Sequence, residues 1–134
     1  MSSIDRMASI VRRFASALDD DDYVTAGQLL RPSATYDTGK SLVEGAANIL
    51  SSFRKTSESG RARLDSLRFE HTIDDARPFE IQFVDILRVA DDELTVRHTM
   101  HVRIGDDERI EHLRLEGPPG QSDAVAHFFT KHRR

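Results

Sequence analysis

Two polar side chains interrupt otherwise apolar faces in the second half of this 134-residue chain. Phe79, Ile81, Phe83, Asp85, Leu87 and Val89 recur at every second position, as do Leu94, Val96, His98, Met100, Val102 and Ile104. Each set therefore occupies one side of an extended strand. The connection through Asp91 and Asp92 is short enough for a hairpin, since Asp tolerates turn conformations and caps its own backbone. With these two residues at its centre, Val89 faces Leu94, Leu87 faces Val96, and Asp85 faces His98. Facing side chains lie about 4.5–5.5 Å apart at Cβ, close enough for an imidazole N–H to donate to a carboxylate. In a pocket that excludes bulk water, such a pair makes His98 a general acid or base oriented by Asp85. The same arrangement also works as a self-satisfied buried pair that fixes the hairpin register without any chemistry. An ionised carboxylate favours imidazolium, whereas desolvation drives both groups toward neutrality.

Three further residues bear on the same face. His71 stands among Leu67, Phe69 and Ile73 on the preceding strand and adds a third polar group, or a satisfied core residue. Tyr36, on a short strand Ser33 to Thr38, is placed to bring a hydroxyl into a pocket, with Asp37 facing the other way. Glu111 shares the alternation of Leu113 and Leu115, which puts it at a pocket mouth or in solvent. His101 and His112 fall on opposite faces from these groups. The six His thus form no cluster, and no HExxH spacing, phosphate loop, GxSxG elbow or dinucleotide fingerprint occurs. Neither a metal nor a cofactor is expected.

The elements that must hold these residues follow from periodicity. Ile4, Met7, Val11, Phe14 and Leu18 form one helical stripe, with Ser2 and Asp5 as a capping pair. The acidic run Asp19 to Asp22 reads as a solvated turn that caps the next helix, rather than as a metal site. That helix carries Tyr23, Val24, Ala26, Leu29 and Leu30, is weakened by Gly27 and stops before Pro32. Ser41 and Glu44 have the spacing of a capping box for a third helix whose buried face is Val43, Ala46, Ala47, Leu50 and Phe53, ending at Ser57 to Gly60. Strands follow, the last being Arg109 to Leu115 after an acidic turn at Asp106-Asp107. Beyond Gly117-Pro118-Pro119-Gly120, Ala124, Val125, Phe128 and Phe129 suggest a short helix whose phenylalanines plug the fold, latch onto a partner subunit or pack on the sheet.

Composition bounds the alternatives. The length suits one domain, 1–134, with 117–134 as a C-terminal extension. Hydrophobic residues are 38% and charged residues 31%, which excludes disorder and a membrane protein. Nineteen Lys and Arg against 23 Asp and Glu give a net charge of −4, so no basic field exists to hold nucleic acid. With no Cys there is neither a disulfide framework nor a thiol nucleophile. The opening MSSIDRMASIVRRF lacks an apolar signal core, and a cytoplasmic protein is expected.

The order helix, helix, short strand, helix and antiparallel meander, from Ile4 to Glu116, resembles the nuclear-transport-factor-2-like (NTF2-like) superfamily, including its SnoaL-like and ketosteroid-isomerase-like branches. Met7 to Leu18 (MASIVRRFASAL), Ala34 to Ile49 (ATYDTGKSLVEGAANI) and Arg109 to Arg114 (RIEHLR) carry the likeness. It implies an α+β cone, a curved antiparallel sheet wrapped around three N-terminal helices, with an apolar pocket at its open end. It also implies a small apolar ligand and a homodimer formed sheet to sheet, for which Thr95, Arg97, Thr99, His101 and Arg103 offer a surface. The positions matching the ketosteroid isomerase groups are Phe14, Thr38 and Met100, which cannot perform those roles. Among the positions matching limonene epoxide hydrolase, Asp85 survives, while Phe83 and Leu115 replace the Arg and the second Asp. Phe14, Phe83, Met100 and Leu115 are thus expected to line the pocket with Tyr36 and His71. Two outcomes remain open: a cofactor-independent acid–base enzyme, or a non-catalytic ligand-binding or dimerisation protein.

Overall fold

The structure is a computed structural model and describes residues 2–133. Helix α1 (Ser3–Asp19) starts at the expected capping box: Ser2 Oγ accepts the Asp5 N–H at 3.1 Å and Asp5 Oδ2 accepts the Ser2 N–H at 3.4 Å. Its stripe buries Val11, Phe14 and Ala15 completely. Helix α2 (Tyr23–Leu29) is capped by Asp22, whose carboxylate accepts the Thr25 N–H at 3.1 Å and its hydroxyl at 2.6 Å. Gly27 is not a defect in this helix. A Cβ there would sit 2.9 Å from Leu50 Cδ1, so glycine lets the third helix approach closely.

Strand β1 (Leu30–Asp37) begins earlier than its composition suggests and carries Pro32 where its pairing is irregular. The Ser41/Glu44 capping box does not form. Those residues belong to a turn and to strand β2 (Leu42–Glu44), where Glu44 pairs with Thr35 and the Ser41 carbonyl accepts the Thr38 N–H. Hairpin pairing to β1 wins over the local cap, and helix α3 (Ala46–Arg63) starts after Gly45 at φ 92°. It runs through Ser57 and Gly60, well past the expected end.

Strands β3 (Ser66–Thr72), β4 (Glu80–Val89), β5 (Asp92–Ile104) and β6 (Ile110–Glu116) form the meander, and helix α4 (Gln121–Lys131) follows it. The six strands lie in the order β2-β1-β6-β5-β4-β3. The expected all-antiparallel sheet is corrected: β1 pairs with β6 in parallel, and the other neighbours are antiparallel. The intervening chain returns by way of α3 and the meander, which brings β6 alongside β1 in the same direction. The result is an α+β fold with a curved, open sheet.

Two cores form against this sheet. The larger joins α1, α2 and α3 to β1, β4, β5 and β6 around Phe14, Ile49, Ile81, Met100 and Leu113. The smaller gathers Leu64, Leu87, Val89 and Val96 under Phe128 of α4. A bulge between β5 and β6 makes Glu111 the extra residue. It therefore leaves the face of Leu113 and Leu115 and bridges Arg31 at 2.9 Å and Arg103 at 2.8 Å, away from any pocket mouth. On that outer face His101 lies between Glu80 and Glu116, and Gln82 accepts the Thr99 hydroxyl. No helix among the described residues is long and apolar enough to cross a membrane.

Candidate functional site

The β4–β5 hairpin turns on Ala90 and Asp91, because Val89 pairs with Asp92. Ala90 adopts φ 53°, and its N–H donates to Asp65 Oδ2 at 2.7 Å, which holds the turn one residue earlier than Asp91-Asp92 would place it. The pairing is corrected accordingly: Asp85 lies opposite Val96, and His98 lies opposite Phe83. The slip is two residues, so face parity survives. Asp85 and His98 still look to the same side as diagonal neighbours, a relation that separates side chains by about 7–8 Å. No hydrogen bond joins them, and the expected orientation of His98 by Asp85 is absent.

Both residues line a cavity of about 350 Å³ between the sheet and the helices. Tyr36, Phe83, Met100 and Leu115 also line it, together with Leu18, Phe53 and Phe69. Two expected members do not. Phe14 is wholly buried beyond Phe53, their rings 6.3 Å apart in an edge contact, because its place on the α1 stripe points it into the core. His71 turns from the cavity toward α1, where its Nδ1 meets Asp19 Oδ2 at 2.5 Å.

Asp19 is the residue that sequence reasoning missed. It lines the cavity, and its second oxygen, Oδ1, is buried with no partner. The signal was present: Asp19 stands four residues after Ala15 and eight after Val11, on the same buried face of α1. Asp21, Tyr23 and Ser57 were likewise missed as cavity residues. Asp21, at φ 55°, accepts the Ser57 hydroxyl at 3.1 Å and the Tyr23 hydroxyl at 3.1 Å, forming a closed polar cluster on the helical side.

The electrostatics separate these groups. Burial pushes the Asp85 carboxyl up to about 6, and the charge of Asp19 adds to the effect. Burial also raises Asp19, outweighing its bond to His71. Burial lowers His98, which keeps the imidazole neutral near pH 7. Tyr36 is pushed up to about 12 by burial, then by the charges of Asp37 and Asp85, and remains a phenol. Among the described residues, no side-chain hydrogen bond or ion pair engages Asp85, His98 or Tyr36. Among the described residues no three His, Asp or Glu side chains converge as a metal site.

No family model matches the chain, and no curated protein matches it. Solved structures do. A protein described as a SnoaL-like polyketide cyclase from Shewanella denitrificans is 9% identical at TM-score 0.64, over 91% of this chain and 97% of that one. One described as a polyketide cyclase from Xanthomonas campestris is 13% identical at TM-score 0.66, over 93% and 98%. The epoxide hydrolase/cyclase-like enzyme SalBIII is 12% identical at TM-score 0.66, over 90% and 97%. At such identities the likeness concerns architecture, and by that architecture the chain has the nuclear-transport-factor-2-like fold.

Proposed function

We propose that this protein is a cofactor-independent acid–base enzyme that moves a proton on a small, largely apolar carbonyl or hydroxyl compound. One observation carries the reading: the Asp85 carboxyl lines a largely apolar cavity with no hydrogen-bond partner among the described residues, where burial pushes it up to about 6. At pH 7 such a carboxyl is ionised by roughly ten to one, yet is basic enough to accept a proton during turnover. The roles expected for the two polar residues are thereby exchanged. Asp85 takes the proton from carbon beside a carbonyl, while the Tyr36 hydroxyl and a His98 ring N–H donate to the oxygen on which charge develops. Phe69, Phe83, Met100 and Leu115 seat the apolar body and exclude water. Asp19, held by His71, places a second negative charge near Asp85 and keeps its proton affinity high. Proton removal of this kind is common to isomerase, dehydratase and cyclase chemistry. The descriptions of the structural neighbours as cyclases and an epoxide hydrolase/cyclase-like enzyme support that range.

The test reads deuterium entering the carbon next to the carbonyl when a panel of cyclic enones and hydroxy ketones is incubated in heavy water and followed by proton NMR. At least one compound is expected to exchange faster with the protein than with its Asp85→Asn variant, with an acid limb near pH 6. Exchange at equal rates with both proteins across the panel, even where a compound binds, returns the cavity to a purely ligand-holding role.

A further inference from the structure

The 350 Å³ cavity is only the inner end of a larger depression. A cleft of about 930 Å³ between α3, α4 and the sheet shares Thr38, Thr56, Phe69, Asp85, His98 and Leu115 with it, so the two are one continuous site. The outer part differs in charge. Lys40 on the β1–β2 turn and Lys55 and Arg63 on α3 border it. Neither lysine has a carboxylate partner among the described residues, and the Arg63 guanidinium lies 4.0 Å above the Phe129 ring without one. Of the acids bordering the cleft, Glu116 is bound by His101 at 2.9 Å and Arg114 at 3.2 Å, Asp37 accepts the Gly39 N–H at 2.8 Å, and Asp85 lies where the cleft meets the cavity. In a chain whose acids outnumber its bases, three cations without carboxylates around one cleft run against the average.

The far wall is held in place. Gln121 grips the Arg97 backbone with two bonds, of 2.8 and 2.6 Å, at the start of α4, and Asp92 holds Lys131 and His132 at its end, at 3.0 and 2.7 Å. An anion arriving there meets a preformed slot.

We propose that the cleft holds the anionic end of the ligand, so that the compound taken up is an amphiphilic acid. Its apolar, oxygenated body reaches Asp85, and its carboxylate stays between Lys40, Lys55 and Arg63. This deepens the proposed function and rests on the cavity being the substrate site. Each exposed ion pair contributes little alone and weakens with salt; three cations bordering one cleft are together expected to change affinity by about tenfold.

Fluorescence titration with anilinonaphthalene sulfonate, and with neutral N-phenylnaphthylamine of the same ring system, tests the inference without turnover. Replacing Lys40→Gln, Lys55→Gln and Arg63→Gln together is expected to weaken the sulfonate about tenfold and leave the neutral probe unchanged. The Lys40→Gln, Lys55→Gln double variant, which keeps the Arg63–Phe129 stack, is expected to show an intermediate loss. Thr56→Trp, on the wall shared by both spaces, is expected to weaken both probes. Equal sulfonate affinity in the wild type and the triple variant overturns the proposal. So does sulfonate binding that survives Thr56→Trp, or failure of the wild type to bind the sulfonate. Asp85→Asn should still bind the probe. A protein that binds the sulfonate as described but never exchanges a proton therefore loses its chemistry and keeps its anion site.

Discussion

Asp19 and Asp85 border the same cavity, yet they meet different fates. Asp19 comes from the end of a helix and finds an imidazole on β3 at 2.5 Å; Asp85 comes from the interior of β4 and finds no hydrogen-bond partner, with Phe69 and Val96 opposite it and a histidine on the diagonal. Both are raised by burial. The difference is that Asp19 has one oxygen committed, while Asp85 keeps its carboxylate for whatever enters. A strand interior gives a carboxylate neighbours fixed by register, and here the register supplies Val96. A helix terminus can reach across to another element and choose its partner. A charge left unpaired is costly, and it is the group placed to act.

The largest effect should come from removing that charge. Asp85→Asn is expected to cut proton exchange by about 10²–10⁴-fold and, at the same time, to stabilise the fold above pH 6. The sign follows from linkage: the native carboxyl titrates at about 6 rather than at its ordinary 3.8, so between these values the native state holds more protons than the unfolded one. Stability therefore falls as pH rises through that window and stays lower above it, by about 2–3 kcal/mol, which Asn restores. Denaturant unfolding at pH 5 and pH 8 measures it, and a variant less stable than wild type at pH 8 would show Asp85 to be structural.

Tyr36→Phe removes one donor to the developing oxyanion, and a loss of about a hundredfold in exchange is expected with the unfolding midpoint nearly unchanged. His71→Asn strips Asp19 of its partner and is expected to cost about 1–3 kcal/mol in stability. Its exchange rate should move much less than that of Asp85→Asn, and comparable losses in the two would end the distinction between the acids. The smallest change is expected from Asp19→Asn. Without its neighbour's charge Asp85 binds its proton less tightly, so the acid limb of the exchange profile should move below that of the wild type. A limb that moves up, or stays, contradicts the electrostatic link between the two.

How much of this was legible beforehand depended on the range of the interaction. The α1 stripe with its Ser2/Asp5 box and the two-residue alternation of β4 and β5 are local patterns, and the alternation put Phe83, Asp85, His98 and Met100 on the face that lines the cavity. Parity withstood a two-residue slip of the hairpin, but pairing did not, because an Asp65–Ala90 bond from outside the hairpin chose the turn. Ser41 and Glu44 satisfied a helix signal and became hairpin and strand, since β1 competed for the same backbone. Asp19 belonged to an acidic run that looked solvated, and only the crossing of α1 over β3 shows where it ends.

The parallel contact of β1 with β6 bears on how the molecule is made. Arg31 and Glu111, bonded across that seam, are 80 residues apart in the chain. During synthesis β1 can recruit β2 early, but its other edge stays bare until the final strand leaves the ribosome. Closing so long a loop is entropically slow, and the waiting intermediate exposes both an unpaired edge and the greasy side of α1. A nascent chain cut off before Ile110 should thus be a sticky client for chaperones, and the arrival of β6 the event that closes the sheet.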